Sequence, residues 1–307
     1  MLTVDVLIPV YRPGKQLEHL LERLQAQSHP VRKIIIMNTE KAYFPPDLET
    51  RYDNLELYHL AKTEFDHGGT RDMGIRMSEA DIVVCMTQDA LPENELLLER
   101  LANVFSDPEI WAAYARQIPK KDCSEVERYT RSFNYPQESR IKSSGDLAVL
   151  GVKTFFCSNV CAAWRREVYL KLGGFEKKTI FNEDMIYAGR LIQNGGKIAY
   201  CADARVIHSH NYRASQQFHR YFDLAVSQAM HPEVFGGVRS ESEGMRLVKK
   251  SILHCMQIGK PWLIFTVITQ NAGKLLGYRL GRCYRKLPRK LILLCTMNRS
   301  FWVEESD

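Results

Sequence analysis

The chain has 307 residues, 45% of them apolar and 10% aromatic, which suits one large α/β domain with an appendage and argues against disorder. Its net charge of +6 is unevenly spread: residues 244–303 hold 12 Lys or Arg and no Asp or Glu, so an acidic body precedes a basic tail. No run of 18 apolar residues predicts a spanning helix, no basic-then-apolar start predicts a secretory leader, and eight scattered cysteines predict reduced, mostly buried thiols without a zinc site.

The first element is a buried strand over Val4–Tyr11, interrupted by Pro9. Residues 14–27 follow as an amphipathic helix with Leu17, Leu20, Leu21 and Leu24 on one face. Residues 33–37 and Leu55–Leu60 read as the second and third strands. A helix over 70–78 opens after Gly68 and Gly69, a fourth strand over 80–86 ends at Thr87-Gln88-Asp89, residues 94–105 are helical, and 112–116 form a fifth strand. This alternation predicts a mainly parallel sheet flanked by helices, with a ligand crevice beyond the carboxyl ends of its strands.

Residues 123–149 are polar and predict loops or short helices over that crevice, followed by an apolar stretch over 153–164 that contains Ser158-Asn159. Helices over 166–172 and 183–194 each close on a Gly-Gly pair, and 197–201 and 204–208 read as two short strands.

Four constellations carry chemistry. Asp89, at a strand end, is a ligand for Mg²⁺ or Mn²⁺, or else a lone turn residue before Pro92. Glu183-Asp184, at a helix start, is either a capping pair or the seat of a general base. His208 and His210 would share one face of a strand and reach the same cation, or else form a hydrogen-bonded pair. In Asp66-His67-Gly68-Gly69-Thr70-Arg71 the glycines would let backbone approach a phosphate or sugar, with Arg71 on a phosphate or a carboxylate; the alternative is a glycine turn with a cap. Together, Asp89 and the two histidines would hold one divalent metal, with Asp184 beside it as a base.

In their order, these motifs resemble the family-two inverting glycosyltransferases with the GT-A (Rossmann-like) fold, over roughly residues 3–215. Within that superfamily, residues 65–71, 87–90 and 208–212 look like bacterial rhamnosyltransferases, which add L-rhamnose from dTDP-L-rhamnose to surface polysaccharides; residues 277–281 and 286–290 also look like that group. The resemblance implies a catalytic domain over 1–215 and a helical basic region over 216–307. It implies Asp184 as catalytic base, Asp89 with His208 or His210 as metal ligands, and Pro9, Tyr11, Glu40, Asp66, His67, Arg71 and Gln88 around the nucleotide sugar. Asn159 and Glu183 would lie on the acceptor side. Thr87 stands where the first DxD carboxylate is usual, and Asn38-Thr39-Glu40 stands where Asp-Asp-Gly-Ser is usual.

The tail interleaves Trp262, Phe265, Ile268, Leu275 and Leu276 with cations, which suits a helix in a membrane interface; the alternative is packing on the body or a partner. The expectation is a cytoplasmic enzyme, peripheral on the inner face of the membrane, with a glycan or lipid-linked acceptor. No nucleic-acid motif accompanies the basic residues. A homo-oligomer, a UDP-sugar donor and a non-catalytic sugar-nucleotide-binding scaffold are the alternatives left open.

Overall fold

The computed structural model describes residues 1–238 and 242–304. One nine-stranded sheet organises the body. Its strands are β1 (Val4–Tyr11), β2 (Lys33–Thr39), β3 (Leu55–Leu60), β4 (Ile82–Met86), β5 (Leu91–Pro92), β6 (Ile110–Ile118), β7 (Arg140–Lys142), β8 (Cys161–Arg165) and β9 (Lys197–Ile207). Neighbours run β3-β2-β1-β4-β8-β6-β9-β5, and β7 adds to β9. The first four are parallel, whereas β8 runs antiparallel to both β4 and β6. Parallel pairing thus fills the amino-terminal half and recurs between β6 and β9, and the sheet as a whole is mixed.

The longer helices are α1 (Lys15–Gln25), α2 (His67–Met77), α3 (Leu97–Asn103), α4 (Glu125–Asn134), α5 (Glu183–Gln193), α6 (Ala214–Met230), α7 (Ser242–Gln257) and α8 (Leu263–Arg282). β1, β2 and β4 are buried on both faces because helices cover the sheet on both sides, which is why they read as continuous apolar runs. One core holds α1, with Leu17, Leu20, Leu21 and Leu24 buried as the spacing predicts. The other core holds Trp164, Tyr169, Phe175 and Tyr187 and carries α5. Edge-to-face contacts lock this aromatic cluster, with Trp164 and Tyr187 rings 5.2 Å apart.

Two expectations change. The polar stretch over 123–149 contains α4 and β7; α4 is capped by Ser124, whose side chain accepts from the Glu127 N–H. The two short strands over 197–208 are one strand, β9. Opposite β6 its register jumps, so that Ala115 faces Cys201 but Arg116 faces Arg205. The extra residues Ala202-Asp203-Ala204 form a bulge that bends the strand without ending it, which periodicity alone reads as a break.

The tail packs on the body along a glycine seam. A Cβ added at Gly277 would lie 2.2 Å from the Phe218 carbonyl oxygen of α6, and one at Gly281 would lie 2.3 Å from that of Phe222. Only glycine lets α8 come this close. Ile180 of the body joins Phe222, Val226, Tyr284, Ile292 and Trp302 in a shared core. The opposite face of α8 stays exposed, with Phe265 75% accessible and Ile268, Leu275 and Leu276 also open. Among the described residues no helix is long and apolar enough to cross a membrane. Seven of the eight cysteines are buried free thiols and Cys283 is exposed, which matches the expectation of reduced cysteines.

Candidate active site

The carboxyl ends of β1, β2 and β4 meet at one crevice. Gln88, after β4, clamps Tyr11, after β1: its Oε1 accepts from the Tyr11 N–H at 3.0 Å and its Nε2 donates to the Tyr11 carbonyl at 3.1 Å. Pro9 sits in β1, paired in register with Met37. Glu40 ends β2 with φ 65° and is held there by its N–H bond to the Leu60 carbonyl. Between these ends lies a cation that sequence reasoning missed. Arg12 donates to the Tyr43 hydroxyl at 2.9 Å and lies over the Tyr11 and Tyr43 rings. No spacing signal marks Arg12 and Tyr43, because only the β1–β2 pairing brings them together.

Asp89 meets the two histidines through a short strand. β5, two residues long, pairs with Val206 and Ile207 at the end of β9 and so draws Asp89 to the residues that follow β9. The Asp89 Oδ2 lies 3.5 Å from His208 Nε2 and 3.3 Å from His210 Nε2. Convergence of the histidines does not come from strand alternation, because β9 stops at Ile207. A turn brings the rings edge to face, 4.7 Å apart, and bonds from the Lys120 N–H to Ser209 Oγ and from the Tyr212 N–H to the His210 carbonyl hold it.

The tautomer of His208 is fixed by a neighbour. Gln117 Oε1 accepts from Arg131, which only donates, so this atom is the amide oxygen. His208 Nδ1 lies 3.0 Å from the same oxygen and must carry the proton. Its Nε2 then points at the Asp89 carboxylate, placed to donate to it when protonated or to bind a cation beside it when not. Burial opposes ionisation of Asp89, but hydrogen bonding and charge from His208 and the charge of His210 hold its carboxyl well below the usual range. Burial and the charge of His208 push His210 down to about 4, against the pull of Asp89, which leaves its imidazole neutral at pH 7 and able to ligate a cation. The three ligand atoms lie within 4.8 Å of one another. One carboxylate oxygen and two imidazole nitrogens, with a hydrogen-bonded outer partner on His208, suit a divalent cation as donors, and the two nitrogens favour Mn²⁺ over the oxygen-preferring Mg²⁺.

Asp184 is joined to this cluster through a series of hydrogen bonds. Asn159, just before β8, donates its N–H to Asp184 Oδ2 at 3.0 Å, and the Met185 N–H donates to Oδ1 at 2.7 Å. Its neighbour Ser158 accepts from Gln117 Nε2 at 3.3 Å. Asp184, Asn159, Ser158, Gln117, His208 and Asp89 therefore form one connected chain from carboxyl to cation site. Burial and the negative charge of Glu183 push the Asp184 carboxyl up to about 7. Such a group gives and takes protons at neutral pH.

Glu183 is the anchored partner; Asn182, at the N-cap position, makes no side-chain cap, and Asp184 takes up the first-turn Met185 N–H. Its Oε1 accepts from Arg71 at 2.9 Å and from Asn159 Nδ2 at 3.3 Å. Arg71 and Glu183 are both buried. Burial opposes ionisation of Glu183, but the Arg71 charge overcomes it and its carboxyl stays below the usual value. The Arg71→Met variant leaves that carboxylate buried and unpaired, and is expected to lose about 3–5 kcal/mol of stability, read by chemical denaturation. Asn182 enters α5 at φ 66°, a left-handed conformation that turns Glu183 inward.

The Asp66–Arg71 segment differs from expectation. Asp66 caps α2 by accepting from the Gly69 N–H at 2.6 Å and ties in the Lys178 N–H at 3.0 Å. His67 is exposed beside the Phe65 ring. Gly68 serves packing within the chain and not phosphate approach: a Cβ there would lie 1.8 Å from the Glu176 carbonyl oxygen. This close contact brings Arg71 to Glu183. Gly68→Ala is expected to cost at least 1–3 kcal/mol by overpacking, seen as a lower Tm.

Residues 5–173 match the family described as glycosyl transferase family 2. The O-antigen chain rhamnosyltransferase RfbN of Salmonella typhimurium is 36% identical over 303 residues, covering 97% of this chain and 96% of the relative. The O-antigen chain rhamnosyltransferase WbaN of Salmonella anatum is 38% identical over 307 residues, covering 98% and 96%. Among solved structures, the mannosyltransferase PcManGT from Pyrobaculum calidifontis, in complex with GDP-Man and Mn²⁺, aligns with TM-score 0.56 at 16% identity, over 99% of this chain and 83% of that one. S. aureus TarS 1-349 aligns with TM-score 0.55 at 13% identity, over 92% and 91%. These two similarities speak to the fold.

Proposed function

The chain belongs to glycosyl transferase family 2 and is a glycosyltransferase, and we propose that it moves L-rhamnose from dTDP-L-rhamnose to a growing cell-surface polysaccharide, with inversion at the sugar. The two O-antigen rhamnosyltransferases support the sugar and the polymer, since each matches over nearly its full length. One observation carries the chemistry: a carboxyl with a pKa raised to about 7, Asp184, is linked through Asn159 and Gln117 to a carboxylate–bis-imidazole cluster.

Asp184 is the base. Its two backbone N–H partners fix the carboxylate plane, and its raised pKa suits removal of a proton from an acceptor hydroxyl. Glu183, held by Arg71, keeps that pKa high and lies with Asn159 on the acceptor side. Only one carboxyl acts on the acceptor, so attack on the anomeric carbon is a single displacement and the configuration inverts. Asp89, His208 and His210 hold the cation, Mg²⁺ or Mn²⁺, which would neutralise charge on the departing diphosphate. Tyr11, Arg12, Glu40 and Tyr43, at the ends of β1 and β2, would seat the nucleotide, with Pro9 and Gln88 holding the backbone they stand on. His67 and Asp66 lie at the start of α2, beside this crevice.

Attachment to the inner face of the membrane is part of the same reading. Phe265, Ile268, Leu275 and Leu276 form an exposed apolar stripe on α8, Trp262 extends it, and Lys274, Arg279 and Arg282 lie on the same helix. A lipid-linked acceptor gives such a surface its use. The catalytic domain is taken as residues 1–215 and the attachment region as 216–307.

A thermal-shift panel of dTDP, UDP and GDP, each with and without Mn²⁺ or Mg²⁺, tests the donor. Ligands that bind the fold raise Tm according to concentration over Kd. The largest shift is expected with dTDP and metal together. A larger shift with UDP overturns the rhamnose assignment and leaves the family intact.

A further inference from the structure

A cavity of about 280 Å³ opens between body and tail. Its walls include Glu127 on α4, Asn211, Tyr212 and Arg213 just after His210, and Thr266, Thr269 and Gln270 on α8. Three segments distant in sequence meet here, so the cavity exists only with the tail docked. We infer that it binds a neutral sugar unit of the glycan acceptor, an inference that rests on the transferase reading above.

The lining sets the ligand class. Hydroxyls, the amides of Asn211 and Gln270, one aromatic ring and an opposed carboxylate and guanidinium, Glu127 and Arg213, suit a neutral molecule with many hydroxyls. The two opposite charges leave the walls with no net charge and so with no preference for a phosphate. The volume lies just below the ~300–1,000 Å³ span of small-molecule sites, which suits a sugar ring and not a whole nucleotide sugar. Hydrogen-bonding capacity remains on the walls. Glu127 Oε1 takes both bonds from Arg131, at 2.9 and 2.6 Å, and its second oxygen lies outside that pair. Gln270 donates to the Tyr212 carbonyl at 2.9 Å, which leaves its own oxygen to accept. Thr269 Oγ1 donates to the Phe265 carbonyl and keeps its lone pairs.

Position supports the same ligand. The Tyr212 ring stands 5.2 Å from that of His210, so one side chain separates the cavity from the cation site. Arg131, which holds Glu127, also donates to Gln117, the residue that orients His208. α8 thus turns Thr266, Thr269 and Gln270 toward the sugar while Phe265 and Ile268 face outward. A glycan rising from a membrane along this helix would reach the cavity before the chemistry.

Thr269→Trp fills the cavity and Thr269→Ser keeps the hydroxyl. Saturation-transfer NMR against methyl glycosides of common hexoses and 6-deoxyhexoses reads the site without a donor. The wild type and Thr269→Ser are expected to saturate at least one glycoside and Thr269→Trp none, while all three show the same nucleotide-and-metal thermal shift. In transfer to a glycolipid extract, Thr269→Trp is expected to raise the acceptor KM at least roughly tenfold with kcat little changed. The inference is overturned if the wild type saturates no glycoside, if Thr269→Trp still does, or if Thr269→Trp loses nucleotide binding as well. A wild type that binds a glycoside in a Thr269-dependent way yet turns over no nucleotide sugar supports the cavity and sinks the transferase reading.

Discussion

Asp184→Asn is expected to abolish catalysis and to become more stable, relative to the wild type, as pH rises through 7. Loss of a positioned base removes roughly 10²–10⁴ in kcat. Nucleotide affinity should stay within about threefold, because Asp184 acts on the acceptor hydroxyl and not on the donor. The stability change follows from the raised pKa. In the unfolded chain an Asp carboxyl titrates near 3.9, and in the fold near 7. The folded state therefore favours the protonated form. That contribution is full below about pH 4 and is lost as pH rises through 7. At pH 8 the native carboxylate stands ionised beside Glu183, a charge that the amide removes, but the amide nitrogen faces one of the two backbone N–H groups that Asp184 accepts from, which costs about 1–3 kcal/mol at every pH. The pH dependence isolates the charge: measured by denaturation, the stability of the variant relative to the wild type is expected to rise by on the order of 2–4 kcal/mol from pH 4.5 to pH 8. In the wild type, kcat/KM should fall about tenfold per pH unit below 7, as the base takes up its proton.

Asp89→Asn is expected to cost roughly 10³-fold or more in turnover, since neutralising a developing diphosphate is worth several kcal/mol. It removes the only anionic member of the cluster and leaves the two imidazoles. The variant should still bind nucleotide through the β1 and β2 ends, but the increment that metal adds to the nucleotide thermal shift should vanish. A chelator should bring the wild type down to the same level. Full turnover in Asp89→Asn would separate the cluster from the chemistry and leave Asp89, His208 and His210 as a packing device.

The parts of the site that were legible in sequence were those where one residue type carries its own constraint. Asp89 ends a buried apolar strand, and Glu183-Asp184 opens a helix closed by Gly195-Gly196, so local pattern placed each of them. His208 and His210 were rightly grouped with Asp89, although the reason differs: β5 and the turn at Ser209 bring them together where strand alternation does not. The parts that were not legible depend on contacts across the chain. Gln117 sits in an apolar strand with no pattern to mark it, yet it sets the tautomer of His208 and links it toward Asp184. Arg12 and Tyr43 meet only because β1 and β2 pair in register. The glycines at 68 and 69 promised a phosphate loop, but Gly68 turned out to admit the Glu176 carbonyl, a partner 108 positions along the numbering that no local window contains. The bulge in β9 depends on register against β6, and a strand with three extra residues looks like two strands until its partner is known.

The anomeric configuration of the transferred sugar is the most direct test of a single-displacement enzyme built on one base. dTDP-L-rhamnose, metal and a glycolipid extract are incubated with the wild type and with Asp184→Asn, and the one-bond C1–H1 coupling of the new linkage is read by NMR. The account predicts product from the wild type alone, with configuration opposite to that of the donor. Retention of the donor's configuration, or equal product from Asp184→Asn, would contradict it.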